Sequence, residues 1–226
     1  MTPASATNAT ENGVSNFNFA LPILALPGRG LDVSLQLVYN GQVWNKSTNP
    51  STSATWMTYD VDSGWPAPGF RISLGQIEDQ GSAGFTLTDP NGTRHALVQT
   101  SSYNYDTVDG TFIHYYGASG WGTAYYPDGT QVYYYASGGG YRSYPISITD
   151  RNGNYVWIAY AGTSGAGPKI ASITDTLQRH IYFYASNGDL IAITAPGMSG
   201  TSSDLQMMRF FLHRCQHWVG IVYVRH

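Results

Sequence analysis

One tight turn recurs along this chain, and each copy launches a strand crowded with tyrosine. It reads Asp89-Pro90-Asn91-Gly92, Asp106-Thr107-Val108-Asp109-Gly110, Tyr126-Pro127-Asp128-Gly129 and Asp150-Arg151-Asn152-Gly153, with weaker copies at Asp175-Thr176-Leu177-Gln178 and Ser186-Asn187-Gly188. Asn-Gly and Asp-Gly supply the positive φ of tight hairpin turns, and the β-branched and aromatic runs after them have strand composition. The turn glycines Gly92, Gly110, Gly129 and Gly153 recur roughly every twenty residues, which accommodates a strand, a turn and a returning strand. The repeating unit is a hairpin.

The rest of the sequence agrees with an all-β chain. Asn16-Phe17-Asn18-Phe19-Ala20-Leu21-Pro22 alternates aromatic and polar positions, and Val33, Leu35, Leu37 and Tyr39 share one face of the next strand, with Ser34 and Gln36 on the other. Ser/Thr/Asn/Pro-rich loops are expected from Asn45 to Thr55 and from Gly64 to Gly69, the second leading into a strand from Phe70 to Leu74. Phe85–Thr88 pairs with Arg94–Val98 across the Asp89 turn. Later strands, Thr130–Tyr135, Tyr155–Tyr160 and His180–Tyr184, are apolar or amphipathic on both faces. Such strands either stack with both faces covered or line a closed interior.

Composition narrows the function. Of 226 residues only 11% are charged, 14% are aromatic and 18 are tyrosine, against about 25% charged in an ordinary soluble protein. A net charge of −3, with no basic stripe in the repeats, gives no general attraction for nucleic acid. The single cysteine, Cys215, rules out an intramolecular disulfide framework. No apolar run reaches the length of a membrane-spanning helix, and Met1–Gly13 lacks the basic and apolar regions of a signal peptide.

The units Asp150-Arg151-Asn152-Gly153-Asn154-Tyr155 to Tyr160, and Ile173–His180 to Tyr184 followed by Asn187-Gly188-Asp189-Leu190-Ile191-Ala192-Ile193, resemble the YD repeat of bacterial RHS proteins. Gln178 stands at a family glycine, and Ala185-Ser186 stand where Tyr-Asp is expected. The block from Asn16 through Leu26-Pro27-Gly28-Arg29 to Asn40 is similar to the segment that opens many RHS shells. The resemblance spans about residues 14–197. It implies a spiralling sheet of antiparallel hairpins that closes as a hollow shell around a C-terminal, often toxic, polypeptide. The signature core with its self-cleaving aspartates is not recognisable, so no protease residues carry over.

The expected organisation is a disordered leader over 1–13, an opening β-region over 14–84, YD-like repeats over 85–197 and an atypical tail over 198–226. The tail, with Met207-Met208-Arg209-Phe210-Phe211-Leu212, reads either as a short helix capped by Ser203 or Asp204 or as a C-terminus foreign to the shell.

No catalytic motif is present: neither a Gly-x-Ser-x-Gly elbow, nor a phosphate-binding loop, nor His-Glu-x-x-His. Catalytic, cofactor and metal residues are each expected to be none. Carboxylates that could meet for glycoside hydrolysis are Glu78, Asp79, Asp60 and Asp62, whereas Asp89, Asp128, Asp150 and Asp175 are assigned to turn hydrogen bonds. His213, Cys215 and His217 form one cluster where a zinc site needs about four ligands. Tyr133, Tyr135, Trp157, Tyr182 and Trp121 could stack on sugar faces if exposed. Three Asn-x-Ser/Thr sequons, at Asn8, Asn45 and Asn91, matter only on a eukaryotic secretory route. The expected function is a non-enzymatic shell segment of a bacterial secreted or cell-surface protein, partnered by the remaining shell and its cargo. The alternative is a carbohydrate-binding module.

Overall fold

The computed structural model describes residues 6–11, 14–41, 44–48, 55–59, 65–67, 69–136, 142–162, 169–186, 189–196, 204–212 and 219–222. Strands dominate, and no α-helix occurs among the described residues. The N-terminal strands are β1 (Ala6–Glu11), β2 (Val14–Leu26), β3 (Val33–Asn40), β4 (Trp44–Thr48), β5 (Thr55–Tyr59) and β6 (Phe70–Ile72). The central ones are β7 (Gln76–Asp79), β8 (Phe85–Thr88), β9 (Arg94–Ser101), β10 (Asn104–Thr107), β11 (His114–Ala118), β12 (Trp121–Tyr125), β13 (Gln131–Tyr135) and β14 (Arg142–Thr149). The C-terminal ones are β15 (Tyr155–Gly162), β16 (Lys169–Asp175), β17 (His180–Ser186), β18 (Asp189–Pro196), β19 (Asp204–Leu212) and β20 (Val219–Val222).

Three sheets result: β1-β2-β3-β6, the small β4-β5 hairpin, and a 14-stranded antiparallel sheet holding β7 to β20. Within the large sheet β14 pairs with β13 along Tyr144–Thr149 and with β7 through Arg142 and Ser143, so β7 to β14 close a ring. The sheet then runs on from the other half of β14 through β15 to β20. The expectation of repeated antiparallel hairpins in a curved all-β sheet holds.

Hairpin turns share one geometry. In the β8–β9 turn the Asp89 N–H donates to Thr93 O at 2.9 Å and Gly92 N–H to Asp89 O at 3.0 Å. The same two bonds recur from Tyr126 to Thr130, from Asp150 to Asn154 and from Asp175 to Arg179. Gly92, Gly129 and Gly153 hold φ of 92°, 88° and 81°, the left-handed conformation that glycine adopts without steric cost. Gln178, at the degenerate copy, takes φ 59° and keeps the turn, its Nε2 donating to Tyr155 Oη at 2.5 Å.

Two cores follow from this topology. Ile23, Leu24, Leu35 and Leu37 of the N-terminal sheet bury against Ile158, Ile173, Ile181 and Ile193 of the open sheet. Phe85, Leu87, Leu97, Tyr115 and Tyr134 pack inside the ring. Val33, Leu35 and Leu37 point inward while Ser34 is exposed, as the alternation requires. The N-terminal sheet is tied to the repeat turns by polar contacts too: Arg179 donates to Pro27 O at 2.6 Å while pairing with Asp175 at 2.5 Å.

Two expectations differ from what is found. Part of the segment expected to be a disordered leader, Ala6–Glu11, forms β1 and pairs with the start of β2, because Asn/Thr/Ala runs have no side-chain bar to a ladder when an extended partner is adjacent. The short C-terminal helix is replaced by β19 and β20, with β19 pairing Asp204–Arg209 against Ala192–Pro196. The free edge of β18 offers unpaired N–H and C=O groups, and a strand satisfies them where a helix would leave them open.

Candidate functional site

The ring is filled by its own side chains. Tyr115 is fully buried, and its ring covers the cross-strand pair Gly117–Gly122: a Cβ on Gly122 would sit 2.3 Å from the Tyr115 hydroxyl oxygen. That hydroxyl donates to Trp121 O at 3.1 Å. Burial pushes the phenol pKa of Tyr115, Tyr134 and Tyr160 upward, so these groups stay neutral packing elements. A cavity of about 40 Å³ between Trp65, Ser73, Tyr144 and Ile170 has room for only a few waters. The inner faces of the ring and of the open sheet are covered by this chain itself, but the outer face of the same strands is open, with Tyr135, Trp157, Tyr182 and Tyr184 exposed, so the expectation that both faces of these strands are covered does not hold.

At one end of the ring, two turns converge on His95, a side chain only 8% exposed. Its Nδ1 lies 2.5 Å from Asp109 Oδ2 and its Nε2 3.7 Å from Asp89 Oδ2. Asp109 also accepts from the Thr111 hydroxyl at 2.5 Å and the Thr111 N–H at 3.1 Å. These bonds, the Thr111 hydroxyl first and His95 second, hold the Asp109 pKa down at about 2. The cluster stitches the β8–β9 and β10–β11 turns together and throws Phe112, at φ 55° and 81% exposed, into solvent. Sequence reasoning missed it: only the Asp109-Gly110-Thr111 spelling of the turn hinted at it, and His95 becomes its neighbour through register alone.

The candidate carboxylates do not converge. Glu78 pairs with Arg94 at 3.1 Å and Arg142 at 3.3 Å, while Asp79, next to it on β7, accepts from Gly81 N–H at 2.8 Å. Adjacent strand positions face opposite sides of the sheet. Asp60 and Asp62 lie outside the described residues, as do His213, Cys215 and His217. Among the described residues no group of three or more His, Cys, Asp or Glu is placed to hold a metal. The turn aspartates do what their spacing implies: Asp150 Oδ1 accepts from Asn152 and Asn154 N–H at 2.8 and 2.9 Å, Asp175 Oδ1 from Leu177 and Arg179, Asp128 Oδ1 from Thr130, and Asp89 Oδ1 from Thr93.

What the structure does gather is the aromatic set. Trp121, Tyr135, Trp157 and Tyr182 are all exposed on the outward face of the large sheet, and Tyr133 is half-buried on the same face. Tyr103, at φ 64° and 52% exposed, joins Tyr116 and Trp121 in a surface cluster with ring centroids 6.0 to 6.4 Å apart. A positive φ on a bulky residue is costly and marks a backbone over-determined by its surroundings. Beside Tyr103 opens a cleft of about 380 Å³ lined by Asp79, Gln99, Ser102, Tyr105 and Ser119. Asn91 is exposed at its turn, and the side chains of Asn8 and Asn45 lie outside the described residues.

No family model and no curated protein matches the chain. Among solved structures it is similar to a chain of the TcdB2–TccC3–Cdc42 crystal structure, with a TM-score of 0.52 and 9% identity over 87% of this chain. The fold is related to that chain's. The match spans only 14% of the solved chain's length, and at such identity the likeness is one of fold alone.

Proposed function

We propose that the chain is a structural segment of an RHS/YD-repeat β-shell, non-enzymatic in itself, that helps to enclose a downstream polypeptide in a secreted or cell-surface bacterial protein. The observation that carries this reading is the continuous 14-stranded antiparallel sheet, built on a repeated Asp-x-x-Gly turn and related in fold to one stretch of a far longer chain. The mechanism is confinement. A wall of hydrogen-bonded hairpins has no gaps through which a protease or partner could reach what lies behind it.

The packing supports a particular part for this stretch in such a wall. Its ring is solid and its open sheet is backed by β2, β3 and β6, so it serves as a closing plug and not as the hollow portion. Among the described strands β20 pairs only with β19 and offers the edge on which further hairpins would continue.

Limited proteolysis of the full-length protein, intact and with Tyr134→Ala in the plug, tests the reading. Confinement requires the downstream polypeptide to resist cleavage in the intact protein and to become susceptible when the plug is loosened. Equal cleavage of that polypeptide, alone and in the intact protein, would overturn it.

A further inference from the structure

The end of the ring opposite His95 is built by three connections: β7 to β8 through the turn Gly81–Ala83, β9 to β10 through Ser102 and Tyr103, and β11 to β12 through Ser119 and Gly120. The cleft of about 380 Å³ beside Tyr103 lies between them, a volume at the small end of ligand sites. Register sets its walls. Asp79 pairs with Phe85, Gln99 with Tyr105, and Tyr105 with Tyr115, and directly opposed residues in antiparallel strands share a face. Asp79, Gln99 and Tyr105 therefore stand on the inner face of the ring, at its mouth, with the buried Phe85 as the floor.

Asp79 is the one charged side chain among the described residues that line this cleft. Its Oδ1 accepts from Gly81 N–H at 2.8 Å. The neighbouring Glu78 faces the other side of the sheet, where it pairs with Arg94 and Arg142. Around Asp79, Gln99, Ser102 and Ser119 carry oxygen acceptors, and the rings of Tyr103 and Tyr105 supply π faces. Both rings are fixed in place. Tyr105 meets Phe85 edge-on, with centroids 4.8 Å apart and planes at 88°. Tyr103 holds φ 64°, and its carbonyl accepts from Gly117 N–H at 2.9 Å. Across the same turn Asn104 Nδ2 donates to Ser101 Oγ at 3.0 Å and to Ser102 O at 2.8 Å. A bulky residue keeps a positive φ only where its surroundings over-determine the backbone, and the outcome here is a ring set on the rim of the cleft.

We propose that this cleft binds a primary alkylammonium group, carried by a free amine or by a lysine side chain, with its charge against Asp79 and its methylenes between Tyr103 and Tyr105. Three features select this occupant. A carboxylate with no cationic side chain beside it in the cleft attracts a cation and repels an anion. The three N–H donors of an ammonium match the oxygens of Asp79, Gln99, Ser102 and Ser119. Tyrosine faces attract the charge and pack against the chain that carries it. A metal ion is a poorer fit, because it calls for several ligands and no group of three or more His, Cys, Asp or Glu is gathered among the described residues. The site opens at the mouth of the ring and owes nothing to confinement.

The test is calorimetric titration of the purified chain with n-butylamine, with 1-butanol and butyrate as neutral and anionic comparators. The peptide acetyl-Gly-Lys-Gly-amide and its Nε-acetylated form make the second arm, and amide NMR shifts locate the site. Butylamine, the lysine peptide or both bind saturably with a Kd of about 1 mM or tighter and shift the amides of Ser102, Tyr103 and Ser119. A peptide that binds at least as well as butylamine assigns the site to lysine side chains; binding of butylamine alone assigns it to free amines. Asp79→Asn, which keeps the size and the acceptor for Gly81, weakens binding by at least about tenfold. Tyr103→Gly, which removes the ring while glycine keeps the positive φ, weakens it by about threefold, and Tyr103→Phe retains it. Cooperative melting shows that each variant folds. The proposal is overturned if neither ammonium binds, if 1-butanol or butyrate binds as tightly, if the shifts fall elsewhere, or if Asp79→Asn and Tyr103→Gly leave binding unchanged. Protease protection of a downstream polypeptide is untouched by any of these results.

Discussion

The closed ring and the open sheet are made from the same hairpin, yet they solve the burial problem in opposite ways. In the ring, β7 to β14 satisfy one another's edges and fill their own interior, chiefly with Tyr115, Tyr134, Leu87 and Leu97. The open sheet, β15 to β18, has an apolar inner face that it cannot cover alone, so β2, β3 and β6 lie across it. The repeat therefore dictates pairing but not closure. What decides closure is the side chain on the inner face: two tyrosines large enough to bridge a narrow ring, and a glycine pair that lets one lie flat. Where the inner face carries isoleucines instead, the sheet stays open and takes a second layer.

If the two regions are separate cores, damage to one should spare the other. Tyr134→Ala removes a ring that is 1% exposed, and a cost of about 3–5 kcal/mol is expected for truncating a buried aromatic. Tyr134→Phe, which removes only the hydroxyl, should cost about 1 kcal/mol. Hydrogen exchange after Tyr134→Ala should show protection lost across β8 to β13 and largely kept in β15 to β18; uniform loss would mean the regions form one cooperative unit. Leu35→Ala is the reciprocal probe. It empties a site 1% exposed in the layer over the open sheet, with an expected loss of about 3 kcal/mol, and should deprotect β15 to β18 while leaving the ring amides slow.

The turns make a finer comparison, since the ring is stitched by a carboxylate–histidine contact between two turns, whereas the open sheet's Asp175 pairs with Arg179 of its own turn, a partner that stays charged at every pH of interest. Asp109 has its pKa depressed to about 2 by Thr111 and His95, against about 3.9 in an unfolded chain. Its contribution is fully present above about pH 4 and fades as the pH falls toward 2. His95 and Thr111 face it, and Asp89 lies 3.7 Å from the other nitrogen of His95. Asp109→Asn should therefore flatten the dependence of ring stability on pH between about 4 and 2 and leave the open sheet's profile as it was. An unaltered ring profile, read by exchange or by ring-specific fluorescence, would detach Asp109 from ring stability.

How much of this was legible in the sequence follows from range. The turns were readable because their chemistry is local: Asp150 and Gly153 define a turn with no outside help. The alternation of Val33, Leu35 and Leu37 gave the buried face of β3 for the same reason. Ring closure was not readable, since it joins Glu78 to Arg142, which lie 64 positions apart, and the pairing that does so spans two residues. The aromatic outer face of the large sheet was half visible. Its aromatics stood out by type, but their alignment is a property of register, which bulges at Tyr133/Tyr134 and Ala159/Tyr160 reset. The segment Asp204–Leu212 was misjudged because its apolar residues fit a helix or a strand equally well, and the neighbouring edge made the choice.

Gln178 gives the smallest test and the one that bears most directly on the repeat. Every other clear copy of the turn places glycine at the left-handed position, where Gly92, Gly129 and Gly153 sit at φ between 81° and 92°. Gln178 holds φ 59° there, a conformation that costs a side chain with a Cβ about 1 kcal/mol. Against that cost stands its contact with the Tyr155 hydroxyl, a bond on an exposed surface worth about 0.5–1 kcal/mol. Gln178→Gly removes both terms and adds backbone freedom to the unfolded chain. The net effect should be within about 0.5 kcal/mol of zero, and Gln178→Ala, which keeps the strain and loses the bond, should be the less stable of the two. If Gln178→Gly instead stabilises the open sheet by well over 1 kcal/mol, the side-chain bond contributes nothing, and the degenerate copy is a strained turn that β16 and β17 hold in place through pairing alone.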